Sequence, residues 1–255
     1  MKNKFFIYIL ASVFFLIFAE SIQAQSFGFG CLGLSGFYGG YTQQQYVAEG
    51  IDDYVQLNNS GTQIDPSIKF KEGTGFRIGA NLFRAQWDPV FITLKGFYQF
   101  MKEGHHTNGN INDVNSDIPS GVLKKDYQLT MNYWGVGLDF GIPLFSIIDW
   151  KIVEGGVTFF NTEFSNTLFL NEIQQYQINL SPEKTKIGYY VGSGLIFHII
   201  RDYISLEGTA AYSMFNFDKL TNNNGDIIPV GNSTKKAIEK GGFTATVQLN
   251  IGFPL

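Results

Sequence analysis

The sequence predicts an all-β protein: a closed, antiparallel, up-and-down β-barrel that crosses a membrane with its strands. Three observations predict it. Apolar and small or polar residues alternate with period two over several long segments. The links between those segments alternate strictly between short and long. The faces opposite the apolar rows carry Gly, Ser, Thr, Asn and Gln, where a water-facing exterior would carry abundant Lys and Glu. Short turns at one end and long loops at the other are the habit of a transmembrane barrel, and small polar residues pack a narrow lumen.

The composition agrees. Among 255 residues, charged residues make up 16% and aromatics another 16%, with 29 glycines. A disordered chain would reverse that balance. With 18 Lys+Arg against 22 Asp+Glu, nothing suits a nucleic-acid partner. One cysteine excludes a disulfide framework and a thiolate-rich zinc site.

Lys2 and Lys4 precede an uncharged, mostly apolar run from Phe5 to Ala19, and Ser21-Ile22-Gln23-Ala24 ends in a cleavage point. That is the layout of a signal peptide, residues 1–24, removed on export. The run is shorter than the roughly 20 residues a helical span needs. Residues 25–255 then form one barrel domain. Cys31 follows Gly28-Phe29-Gly30 and lacks the aliphatic residue that a lipid-accepting cysteine usually has three places back. It reads as a small apolar strand residue.

The first strand, about Phe27 to Tyr38, is glycine-rich. Phe76, Ile78, Ala80 and Leu82 then alternate with Arg77, Gly79 and Asn81, and Val90, Ile92, Leu94, Tyr98 and Phe100 alternate with Thr93, Lys95, Phe97 and Gln99. Tyr127 to Phe140 is a further strand whose phase changes around Tyr133-Trp134, the expected mark of a bulge. From Trp150 to Phe160, Val153, Val157 and Phe159 oppose Glu154 and Thr158. The rows from Ile187 to Phe197 and from Ile204 to Met214 are joined at Arg201-Asp202, a tight hairpin. Phe243, Val247, Leu249 and Ile251 mark the last strand. Short links fall near 84–89, 142–149 and 200–202. Long polar ones fall near 41–73, 102–125, 161–184 and 217–240. Four hairpins make eight strands, or ten if Tyr176, Ile178 and Leu180 add a pair inside the third long link.

This pattern resembles the small outer-membrane β-barrel proteins of Gram-negative bacteria. It is most similar to the OmpA-like, or "outer membrane protein β-barrel", families of the Bacteroidota. The resemblance covers Ser26 to Leu255 and is one of pattern rather than of a signature motif. It departs at the end, Gly252-Phe253-Pro254-Leu255, where such chains often close on an aromatic. No peptidoglycan-binding domain is expected after the final strand. The resemblance implies a monomer in the outer membrane, in contact with its lipid and inserted by the barrel-assembly machinery.

Candidate functional residues are the charges inside strands. Arg77, Lys95, Glu154 and Glu207 all fall opposite the lipid-facing rows, with Asp139 near them. A Lys or Arg facing lipid at the midplane costs about 2–4 kcal/mol, so the lumen is their place. There they should pair, since an isolated buried charge is costly. Lys95 is expected to share one network with Glu207, Glu154 being the alternative partner. The network reads either as an electrostatic gate across a pore or as a static filling, and the narrow interior of eight strands favours filling.

Other chemistry is thinner. His105-His106 lie near Glu103, Asp113 and Asp117 in an Asn/Gly-rich link, a solvated loop tip in composition. His198 reads as a rim or turn residue. No Gly-x-Ser-x-Gly elbow or phosphate-loop pattern occurs, and no cofactor or metal is indicated. Tyr46, Val47, Ile51, Tyr54 and Val55 are spaced as one face of a short helix, and Leu168, Phe169, Leu170, Ile173 and Tyr176 form a second apolar cluster. Either can cap the barrel mouth or dock a surface protein or ligand. The expectation is a non-enzymatic outer-membrane barrel with an anchoring, structural or surface-binding role. The alternatives are a narrow channel and, third, a membrane-embedded hydrolase.

Overall fold

A computed structural model describes residues 35–59, 68–87, 89–111, 121–201, 203–231 and 233–252. The signal-peptide expectation, Cys31 and Phe253 lie outside those residues. The elements run β1 (Gly36–Val47), α1 (Glu49–Asn59), β2 (Glu72–Trp87), β3 (Val90–Ile111), β4 (Gly121–Phe145), β5 (Ile148–Leu170), β6 (Ile173–Leu180), β7 (Lys186–Ile200), β8 (Ile204–Met214), β9 (Leu220–Thr221), β10 (Ile227–Ile228) and β11 (Lys240–Gly252).

Eight strands close a ring. Each of β1 to β4 pairs antiparallel with the next, β5 pairs with β7, β7 with β8, β8 with β11, and β11 returns to β1. Closure leaves no edge inside the ring, where unpaired backbone groups would be costly away from water. β6 forms where Tyr176, Ile178 and Leu180 suggested added strands, but it pairs only with the far half of β5, above β7. The wall therefore stays at eight.

The wall is inside-out. Along β11, Phe243, Val247, Leu249 and Ile251 face outward, and Thr244, Thr246 and Gln248 are buried. Leu249 is 44% exposed and its neighbour Gln248 only 3%. The outward apolar band ends at two aromatic rows. Tyr41, Phe76, Trp134, Phe159, Tyr189, Tyr212 and Phe243 mark the end toward the long links; Phe37, Phe83, Phe145, Trp150, Phe197 and Tyr203 mark the end with the short turns. Phe243 to Ile251 is nine residues, within the roughly 9–11 a tilted strand needs to cross a bilayer.

β4 overturns the expected bulge. It pairs with β3 from Ile111–Gly121 to Phe91–Gly141 with no shift of register, and the alternation runs unbroken through Tyr133-Trp134. The chemistry of the two faces inverts instead. Below Trp134 the inner face carries Gly135, Gly137 and Asp139 and the outer face Val136, Leu138 and Phe140; above it Tyr127, Leu129, Met131 and Tyr133 are buried and Gln128, Thr130 and Asn132 face out. Bulges in this strand lie lower, at Phe140/Gly141 and Pro143/Phe145.

The long links are correspondingly less loop than expected. β1 continues to Val47 rather than ending near Tyr38. β3, β4 and β5 run far past the aromatic row, and 161–184 is mostly the β5–β6 hairpin, turned at Asn171-Glu172 with φ of 50° and 68°. Such a turn, with both central residues at positive φ, matches the twist of the flanking strands. The 13 residues from Gly121 to Tyr133 extend the wall by about 40 Å along the strand. This upper part has an ordinary apolar core. α1 lies in its mouth with Ile51, Tyr54 and Val55 buried against Phe70, Phe164, Leu220, Ile228 and Ile238. Of the five residues expected on one helix face, Tyr46 and Val47 end β1 instead. Gly50 is required: a Cβ there would sit 2.4 Å from the carbonyl oxygen of Lys236.

Candidate functional site

The interior of the band is a stack of polar layers. At the short-turn end, Asp149 accepts a hydrogen bond from His198 (2.9 Å) and faces Arg84 (3.4 Å), whose guanidinium lies 4.9 Å from the centre of the Phe91 ring. His198 thus points into the lumen near the rim.

The central layer holds most of the expected charges. Lys95 on β3 lies 2.9 Å from Asp139 on β4 and 2.9 Å from Glu154 on β5. Glu207 on β8 does not meet Lys95 directly. Lys151 joins them: its ammonium contacts Glu154 and Glu207 and lies 3.5 Å from Asp139. Asn250 donates to the second oxygen of Glu207 at 3.0 Å. Arg77 sits beside this cluster rather than in it, donating to Gln99 at 2.6 Å and lying 4.5 Å from the Phe97 ring centre. All six charges are buried, three carboxylates among three cations. That balance matters, because a buried charge left unpaired costs several kcal/mol, of order 3–5 when one partner is removed.

Lys151, 0% exposed, is a lumen charge that the alternation of β5 does not reveal. Strict alternation from Glu154 turns position 151 outward. The β5–β7 register shifts between Lys151, opposite Gly194, and Glu154, opposite Gly192, so three steps on β5 match two on β7. That bulge brings both side chains to one face. A signal was present: Trp150 and Val153 both face out, an odd spacing that unbroken alternation forbids. Gly194 makes room for the lysine stem, since a Cβ there would lie 3.1 Å from Lys151 Cε. Gly135 and Gly137 do the same for the rings of Phe97 and Tyr190.

Above the charges, Tyr133 donates to Gln44 (2.9 Å), Thr42 bonds Thr246 (3.0 Å) and Ser213 bonds Thr244 (3.0 Å). The Phe160 ring then packs, tilted, against Tyr133 and Phe215, with centroids 4.3 and 4.5 Å away. The apolar core around α1 closes the top.

Few sites here suit other chemistry. Carboxylate oxygens of Asp139, Glu154 and Glu207 lie within 4.8 Å of one another, as cation ligands would. The ammonium groups of Lys95 and Lys151 already occupy that position. His105 and His106 fall on opposite faces of β3 and do not form a pair. His105 bonds Glu103 (2.8 Å) and packs edge-on against Phe70; His106 is exposed. Glu103 also accepts the amides of Lys71 (3.0 Å) and Glu72 (2.8 Å) and the Tyr46 hydroxyl, so it fastens the start of β2 to β3. Burial and the neighbouring Glu103 carboxylate push the Tyr46 phenol well above its ordinary range.

α1 is latched from β4. Lys125 donates to the carbonyl of Asn58, and Tyr127 donates to the Asn59 side chain at 2.8 Å. The last turn of α1 holds no basic residue of its own, so Lys125 supplies the positive charge that a helix C-terminus favours. Burial lowers the Lys125 pKa.

No protein-family model matches the chain, and no curated protein does. Among solved structures it is similar to Neisserial surface protein A, at 10% identity over 86% of this chain and 97% of that one, with a TM-score of 0.38. It is also similar to the outer membrane protease OmpT from Escherichia coli, at 12% identity over 86% and 94%, with a TM-score of 0.37. Likeness at that level assigns no role to any residue here.

Proposed function

We propose that this chain is an integral, monomeric protein of a bacterial outer membrane, exported with its first 24 residues removed and inserted by the barrel-assembly machinery. In this reading it anchors a tall extramembrane cap and conducts nothing. The observation that carries the reading is the filled interior. A neutral layer of six buried charges crosses the lumen, and α1 with its apolar core closes the mouth above it. The outward apolar band and its two aromatic rows support the membrane placement.

The cap is the part available for structural or surface-binding work, with the far ends of β3 and β4 and the β5–β6 hairpin reaching the same height. A channel would need a water path past Lys95, Lys151 and α1. The same reading assigns no catalysis to the chain, in keeping with the separation of His105 from His106. Planar bilayers containing the purified protein test the main point. The expected result is no stepwise conductance. Stable steps whose ion selectivity changes in a Lys95→Gln variant would put a water path through the charged layer and overturn it.

A further inference from the structure

The outer wall carries a cleft of about 440 Å³ lined by Gln45, Tyr46, Val47, Lys71, Glu72, Tyr212 and Lys240 to Phe243. It opens where β1 and β11 lose register: Gln44 pairs with Thr244 but Tyr46 with Gly241, so β11 makes three steps for two on β1. Two glycines in succession, Gly241 and Gly242, fall at this shift. A Cβ on either would meet backbone oxygen at 2.3 or 2.8 Å, so the close approach of the strands keeps this stretch free of side chains.

The depth of the cleft identifies its surroundings. Phe243 and Tyr212 face each other across β8–β11 and belong to the upper aromatic row. Lys240 stands three residues further up, about 10 Å along the strand, at the height of the headgroups above that row. Lys71 lies on the opposite wall, its backbone held by Glu103. Neither lysine has a carboxylate partner among the described residues. Glu72 is the one acidic group in the lining, so two ammonium groups outweigh it.

We propose that this cleft binds the anionic, phosphate-bearing headgroup of a membrane lipid, with Lys71 and Lys240 on the phosphate and Phe243 and Tyr212 against the first acyl segments. An anion whose tail lies along apolar wall fits a site with cations above aromatics, and each basic side chain at a membrane surface adds to such binding. The inference rests on the apolar band being embedded in lipid. A heat-modifiability gel and the need for detergent check that placement separately.

Native mass spectrometry of the full protein in neutral detergent tests the site, with phosphatidic acid as probe and phosphatidylcholine as control. Wild type should retain phosphatidic acid and not phosphatidylcholine. The Lys71→Gln/Lys240→Gln double variant should retain it about tenfold less or weaker still. Val47→Trp should block it without touching the charges, and Lys69→Gln, outside the lining, should leave it unchanged. Each variant is first shown to be folded by the heat-modifiability gel. Retention unaltered in the double variant, or equally lost in Lys69→Gln, overturns the proposal. Inorganic phosphate that displaces the lipid at equal concentration would assign the cleft to a free anion and overturn the lipid as occupant.

Discussion

Lys151 is the residue on which the interior depends most. It touches three carboxylates, and Lys151→Met would leave Glu207 with Asn250 as its remaining partner. The loss should be about 3–5 kcal/mol in detergent unfolding. Adding Glu207→Gln should recover part of it, with a coupling of about 1–3 kcal/mol. Strict additivity would mean separately hydrated charges and a wetter lumen. A second residue-scale test concerns pH. Burial raises the Asp52 carboxyl above its ordinary range, although it accepts the Phe70 amide at 2.8 Å. The folded state thus holds its proton longer than the unfolded chain does. Stability is therefore lost as pH rises from the ordinary aspartate range through the folded pKa. Asp52→Asn keeps the acceptor and removes that loss. Amides of α1 should exchange more slowly in the variant at neutral pH and depend less on pH in acid. Faster exchange at neutral pH would show that the charge, through the helix N-terminus, outweighs its burial.

At the scale of the element, the two faces of one strand should respond oppositely to the same substitution. Leu249→Arg puts charge inside the apolar band, where the cost rises from about 0–1 kcal/mol at the edge to about 2–4 kcal/mol at the midplane. Gln248→Arg places it inside, directly across from Glu207. At equal expression, the first should abolish the folded band on a heat-modifiability gel and the second should keep most of it. Equal tolerance of both would describe a barrel in water. The same logic explains β4. Its sequence reads as a phase change because apolar residues move from the outer face to the inner one at Trp134, while the backbone never slips. The position of that inversion marks where the surroundings of the wall change.

For the whole molecule, orientation is the remaining variable. If the long-link end faces out of the cell, cysteines placed at Asn108 and Asn223 in a Cys31→Ser background should react with an impermeant label on intact cells, and one at Gln86 should not. The three positions are exposed, so access decides the result. Labelling at Gln86 alone would invert the barrel.

Alternation and link lengths determined the barrel and the inward side of Arg77, Lys95, Glu154 and Glu207, because a pleated strand has only two faces and a membrane accepts only one kind of residue on the outer one; that the wall has eight strands rather than ten was decided by β6 pairing with β5 alone. The helix at 49–59 was legible in outline from Ile51, Tyr54 and Val55. What tertiary structure decided is where alternation fails or changes meaning. The bulge between Lys151 and Glu154 is a matter of pairing with β7, and it recruits the central cation. The height of each strand in the shear of the ring decided that Lys95 meets Asp139 and Glu154 while Arg77 turns to Gln99 and Phe97. The upper wall reads as polar link because its outer face is wetted; only closure of the ring shows that Tyr127, Leu129 and Met131 on its inner face have a core to share.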